Sequence, residues 1–184
     1  MQMHNIFLQK GSLSIRNAVA DDASIVCGWW NDGRVMEHAG FPEGLKTTEE
    51  KVIRQIGRTN ADGALLILMH EDLAIGEMHF SIVGNGTADV GIKVCDPRYQ
   101  NKGFGSTYLS MLFHYLFGEL GFKKIILGTT PENTRARHVY EKLGFELLEI
   151  KENSWKDQTG AFRASVHYEL TAEAFNAKAE TAGI

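Results

Sequence analysis

"RYQNKGFGS", Arg98 to Ser106, joins an apolar strand-like run to a long apolar helix-like run, and holds two aromatics, two cations, two amides and two glycines. A strand that ends in a glycine turn directly before a helix aims several backbone N–H groups and the positive end of the helix macrodipole at one spot. Gly103 and Gly105 let the main chain approach an oxygen with no Cβ in the way. Lys102 adds a point charge, and Gln100 and Asn101 add neutral donors, so the turn suits a phosphate or pyrophosphate. Spacing removes two familiar answers. The P-loop pattern GxxxxGK[ST] is absent, and the dinucleotide pattern GxGxxG fails because Tyr108 stands where its third glycine belongs. A tight turn built only to connect a strand to a helix also uses two glycines, so this stretch alone leaves its ligand open.

Outward from the turn, the chain alternates between the two secondary-structure periods. Upstream, Leu13 and Ile15 mark a strand, and a helix begins at the acidic pair Asp21 and Asp22 and stops at Asn31 to Gly33. Thr47 and Glu50 fit a capping box ahead of a helix whose buried stripe is Val52, Ile53 and Ile56. Ala64 to Val83 reads as an antiparallel hairpin broken at "HEDL", and Ala88 to Cys95 as a further strand closed by Pro97. Downstream, helical periodicity from Gly103 to Leu120 predicts a rod of about 27 Å at ~1.5 Å per residue. "KKIILGTT" is a strand, Thr134 to Leu143 a helix capped by Asn133, and Phe145 to Ile150 and Phe162 to Leu170 two last strands, before a terminal helix that frays. With no repeat and no composition break, residues 1–184 read as one α/β domain on a mixed sheet, its core from about 13 to 170 between a short lead and a tail.

Composition narrows the function classes. The chain has 184 residues, 43% of them hydrophobic and 23% charged, and a formal net charge of -4. That balance argues against a nucleic-acid partner, which favours a basic face, and suits a cationic substrate. No stretch approaches the ~18 apolar residues of a membrane span, and the opening "MQMHNIFLQKGS" lacks the layout of a secretion signal. Cys27 and Cys95 stand far apart in apolar surroundings with no metal-ligand spacing, so no metal is expected and a reducing, cytoplasmic setting is the simpler inference.

A second motif supplies context for the first. In "PENTRARHVYEKLGF", Pro131 to Phe145, an Asn opens a helix that carries Ala136 and Tyr140 and ends in Leu143, Gly144 and Phe145. Gln100-x-x-Gly103-x-Gly105 resembles the pyrophosphate-binding signature of the GNAT superfamily of N-acetyltransferases, and the Asn133 helix resembles its other hallmark, in the family's order. The resemblance spans Leu13 to about Leu170. It implies a mixed, mostly antiparallel central sheet of six to seven strands flanked by about four helices. It also implies acetyl-CoA as donor and an amine as acceptor, joined by direct attack on the thioester.

The family pattern assigns roles residue by residue. Main-chain groups of Lys93, Val94 and Cys95 would hold the pantetheine arm and polarise the carbonyl. Gln100, Asn101, Lys102, Gly103, Phe104, Gly105 and Ser106 would hold the phosphates, with Asn133 and Tyr140 beside the cofactor. Tyr140 is the candidate general acid toward the departing thiolate, although a Tyr on this helix face also packs well as plain core. Asp89 and Glu77 are candidate bases, with His79 a rival on the strand face it shares with Glu77, and a water chain or a group brought by the substrate stands as an equal alternative. The acceptor pocket falls to Trp29, Trp30, Asn31 and Asp32 and the segment Glu37 to Leu45, where Asp32, Glu37 and Glu43 could attract a cation.

The layout most resembles the subgroup acting on ribosomal-protein N-termini, polyamines and aminoglycosides. The acceptor expected is therefore a small-molecule amine or a peptide N-terminus, with no nucleic-acid or membrane partner and, as in many relatives, a homodimer. Two other readings stand beside the leading one: a CoA-binding sensor without turnover, and a protein N-terminal acetyltransferase.

Overall fold

The computed structural model describes residues 5–59 and 62–182. Residues 1–4 of the expected lead and 183–184 of the expected tail lie outside the described residues. The strands are β1 (Phe7–Lys10), β2 (Leu13–Asn17), β3 (Gly63–His70), β4 (Leu73–Gly84), β5 (Thr87–Val94), β6 (Lys124–Thr129), β7 (Glu146–Lys156) and β8 (Phe162–Thr171). The helices are α1 (Ala23–Asn31), α2 (Gly33–Met36), α3 (Glu49–Thr59), α4 (Phe104–His114), α5 (Thr134–Leu143) and α6 (Ala172–Ala182). All eight strands form one sheet in the order β1-β2-β3-β4-β5-β6-β8-β7, antiparallel except at β5 and β6. The sheet has one strand more than the upper expectation, and the described residues hold six helices rather than about four.

The extra elements are ones that periodicity does not reveal. β1 pairs with β2 through Phe7↔Arg16 to Lys10↔Leu13, yet it is largely exposed, so its residues show no inside-outside alternation. α2 is one turn long, started by Asp32, whose carboxylate accepts from the Arg34 amide at 2.9 Å. The capping pair of α3 also shifts by one residue. The amide of Thr47 donates to Asn31, and Glu50 bonds the Thr48 side chain instead. The long rod ends early: α4 stops at His114 and continues as a π turn, Tyr115–Glu119, in which the Leu120 amide donates to the Tyr115 carbonyl. That turn carries Phe117 to within 5.4 Å of the Phe175 ring, centroid to centroid.

Strand alternation divides the interior between the two faces of the sheet. Leu66, Met78, Phe80, Val90, Ile125 and Val166 bury one face against Leu109, Leu112 and Phe113 of α4, Tyr140 of α5 and Phe175 of α6. Leu65 and Ile67 bury the other against Val26 of α1 and Val52 and Ile56 of α3. On that second face, β4 and β5 run past the apolar cover and present Glu77, His79 and Ser81 beside Lys93, Gly91 and Asp89 in register.

The far hairpin returns to that face. At the β7–β8 tip the Gln158 amide donates to the Gly40 carbonyl at 2.8 Å, and its side chain accepts from the Glu43 amide and donates to the Gly44 carbonyl. Asp157 holds the tip in shape. It is buried and accepts from the Thr159 hydroxyl at 2.6 Å, Arg163 Nε at 2.7 Å, and the amides of Thr159 and Ala161.

The bonds from Thr159 and Arg163 hold the Asp157 carboxyl down at about 2. A depressed acid stabilises the fold fully above its unfolded value of ~3.9, and that contribution drains as pH falls toward the folded value. Asp157→Asn is therefore expected to lower the urea midpoint at neutral pH by an amount that shrinks below about pH 4. A midpoint difference that stayed constant from pH 7 to pH 3 would contradict this.

Candidate functional site

Two cavities open where the sheet divides. β5 pairs with β6 only at Thr87, Ala88 and Asp89, but with β4 as far as Val94. From Val90 onward the β6 side of β5 has no strand partner, and a cleft of about 850 Å³ occupies the gap. Its walls include Gly91, Ile92, Lys93 and Val94 from β5, Gly128 and Thr129 from β6, and Asn133, Arg135, Ala136 and Tyr140 from α5 and its cap.

Its far end is the glycine turn. Gln100, Asn101, Gly103, Phe104, Gly105 and Ser106 all line the cleft. Gly103 caps α4 with φ of 78°, a left-handed conformation that a side chain strongly disfavours. The first-turn amides of α4 have no acceptor inside the helix, so they face the cleft as donors. Arg135 brings a cation to the same wall, donating to Gln100 Oε1 at 3.1 Å. These donors and this cation fit the diphosphate of CoA, and the unpaired β5 edge fits the amides of its pantetheine arm.

The smaller cavity, about 450 Å³, lies on the α1 and α3 face. Trp30, Met36, Phe41, Leu45 and Leu65 give it apolar walls, Lys51, Gln55 and Thr59 project from α3, and Glu77, His79, Ser81 and Lys93 form its floor. Its roof is the Gly40 to Leu45 segment that the β7–β8 tip holds, tied also by the Leu45 amide to the Trp30 carbonyl at 2.7 Å. The two cavities share His79 and Lys93.

At this junction Glu77 is nearly inaccessible, at 2% exposure, and its Oε1 accepts from both Trp30 Nε1 and Lys93 Nζ at 2.9 Å. Its Oε2 is buried with no partner among the described residues. His79 lies over Gly91, where a Cβ would overlap its ring. Burial and then the Lys93 charge lower the His79 pKa, against the pull of Glu77 and Asp89, so the ring is neutral at pH 7. Burial, with Tyr168 adding, pushes Tyr140 up to about 12, so its hydroxyl stays protonated and faces the larger cleft.

The expected residues divide by these geometries. Lys93, Val94, Gln100, Asn101, Gly103, Phe104, Gly105, Ser106, Asn133 and Tyr140 line the larger cleft. Cys95 does not: it is buried, and its amide is taken by the Ile75 carbonyl at 2.9 Å. Lys102 lines neither cavity and sits over the Tyr99 ring. Gln100 is engaged within the protein, its Nε2 on the Val94 carbonyl.

Of the acceptor candidates Trp30 reaches the smaller cavity, as do Phe41 and Leu45 of the segment from Glu37 to Leu45. Asn31 pins Thr47 at both backbone groups, Asp32 caps α2 and pairs with Arg34, and Glu37 faces the larger cleft. Asp89 lines neither cavity, and burial raises its carboxyl. Arg135, Lys51 and Gln55 were not anticipated. The i, i+4 polar stripe Lys51, Gln55, Thr59 beside buried Val52 and Ile56 is the signal that marks a helix flank facing a cavity.

Comparison with known proteins agrees with the geometry. The acetyltransferase (GNAT) domain family matches residues 12–146. The uncharacterized N-acetyltransferase YnaD of Bacillus subtilis (strain 168) is 32% identical over 155 residues, 79% of this chain and 89% of its own. Two solved structures share the fold. Spermidine N-acetyltransferase from Vibrio cholerae, in complex with CoA and spermine, has a TM-score of 0.81 at 18% identity, covering 91% of this chain and 99% of that one. RimL, a ribosomal L7/L12 alpha-N-protein acetyltransferase in complex with CoA, has a TM-score of 0.82 at 14% identity, covering 92% and 99%. With the family signature running from β2 to the first residue of β7, across the divided sheet and both motifs, this chain belongs to the GNAT acetyltransferases.

Proposed function

We propose that this acetyl-CoA-dependent N-acetyltransferase binds its thioester donor in the larger cleft and a small primary amine in the smaller cavity, with transfer at their junction. The observation that carries this reading is the sharing of His79 and Lys93 by two cavities of different character, one lined by turn amides and the other by aromatic and aliphatic walls. Acetyl-CoA supplies the activated acyl group, and the residues of this chain do the rest. Turn amides and Arg135 hold the diphosphate, the free β5 edge orients the acyl arm, and donors there favour the negative charge that grows on the carbonyl oxygen.

The base is His79 rather than Asp89 or Glu77. A base must reach the acceptor and be unprotonated, and His79 lines both cavities as a neutral imidazole. Asp89 reaches neither cavity, and Glu77 already serves Trp30 and Lys93. Tyr140 is the acid, a protonated phenol with no hydrogen bond within the described residues to hold its hydroxyl. A cavity of about 450 Å³ with apolar walls suits a small amine rather than a protein N-terminus, and the neutral base beside the thioester cleft favours turnover over a binding module. The two spaced thiols, neither bonded to the other, suit the cytoplasm.

Three outcomes test this. Tyr140→Phe should lower kcat by about 10² or more while the KM for acetyl-CoA holds, and an unchanged kcat removes the acid. The wild-type kcat/KM should rise with pH through an inflection below ~6.5 as His79 loses its proton. His79→Gln should lose that inflection, and its retention assigns the base elsewhere. Gly105→Leu should raise the KM for acetyl-CoA at least about tenfold with the fold intact, because a Cβ there meets no protein atom within 4 Å. An unaltered KM would move the diphosphate off this turn.

A further inference from the structure

The carboxylates that would draw a polycation toward the smaller cavity are already spoken for. Asp32 pairs with Arg34 at 2.6 Å and Glu43 with Lys46 at 2.7 Å, while Glu37 faces the larger cleft instead. Glu77 is the single carboxylate among the cavity's lining residues, and Lys93 neutralises it at 2.9 Å. What remains is cationic. Lys51, on the α3 wall, has no ion-pair partner among the described residues, and its neighbours Gln55, Thr59, Thr47 and Ser81 are neutral hydrogen-bonding groups.

A di- or polyamine needs an acidic partner for each ammonium that it leaves buried, because an unpaired charge out of water is strongly disfavoured. This cavity offers no free carboxylate, since Glu77 is held by Lys93 and its Oε2 is buried, and it sets a solvent-exposed lysine, Lys51, across from the floor. Resting on the transfer reading above, we propose that the acceptor is an amine that also carries a carboxylate, an amino-acid-like molecule with an apolar body. Its amine lies at His79, its apolar part against Trp30, Phe41 and Leu45, and its carboxylate at Lys51. The same charge that pairs the carboxylate repels a polyamine. Acidic overall composition pointed to a cationic substrate, but the lining of this one cavity is what a bound molecule meets.

Two readouts separate this proposal from the transfer reading. Calorimetric binding in the presence of CoA, which requires no turnover, compares 6-aminohexanoate and L-methionine with their methyl esters and with spermidine. Release of CoA thiol from acetyl-CoA is then measured with the same amines. Each acid should bind about two- to fivefold more tightly than its ester, the range expected of an ion pair at an exposed lysine, and more tightly than spermidine. Lys51→Gln should collapse the acid-over-ester preference toward one, and Lys51→Arg should keep it. Acid binding equal to ester binding, preferred binding of spermidine, or a preference untouched in Lys51→Gln overturns the proposal, even if thiol is released. A Lys51-dependent acid preference with no thiol release upholds it and sinks the transfer reading instead.

Discussion

The parting of β5 from β6 after Asp89 is the constraint on which the site depends. Leaving a strand edge unpaired inside a protein is unfavourable by about 1–3 kcal/mol for each buried polar group. The separation is therefore held by neighbours on both sides. On one face Leu109 of α4 and Tyr140 of α5 sit at the cleft, and on the other the His79 ring lies over Gly91. At the end of β5 the amides of Cys95 and Asp96 both donate to the Ile75 carbonyl, on the strand irregularity after Ala74. That anchor turns the chain away from β6 and into the glycine turn. One split thus produces a row of free backbone donors, a passage between the two faces of the sheet and the approach to a helix N-terminus.

The passage also organises the charges. Glu77, Lys93 and Trp30 form a buried network that is worth most when every member is satisfied, and one oxygen of Glu77 is left without a protein partner. Such a group is expensive in a core. Lys93 acts on His79 in the opposite sense to Glu77, so the ion pair leaves burial as the dominant influence on the imidazole. A neutral histidine at the junction and a protonated tyrosine across the split stand on opposite faces, as the base and the acid of the proposed transfer.

The fold was legible to the extent that burial imprints a period. β3, β4, β5 and β6 and the helices around them appear in the sequence because Leu66, Phe80, Val90 and Val52 alternate with residues that face elsewhere. β1 and the distal half of β7 were not legible, because both are exposed along their length and so carry no alternation. The larger cleft was read nearly whole from two motifs, since a left-handed Gly103 and the Asn133 cap are local requirements of backbone geometry. Cys95 lies outside the cleft for a nonlocal reason: a hydrogen bond to Ile75, twenty residues upstream, claims its amide.

The acceptor side shows where local pattern and tertiary contact part. Asp32 and Glu43 looked available, yet their partners Arg34 and Lys46 are two and three residues away, close enough that the pairing was present in the sequence itself. Glu77 differs, because its partner Lys93 becomes a neighbour only through the register of β4 on β5. Lys51 differs again: its meaning lies in what it lacks, and that depends on the cavity wall formed when the β7–β8 tip, more than a hundred residues later, holds Gly44 in place. Donor recognition reads short-range backbone shape, so motifs report it. Acceptor recognition reads a charge balance summed over α1, α3, β4 and β5, which no contiguous stretch of sequence contains.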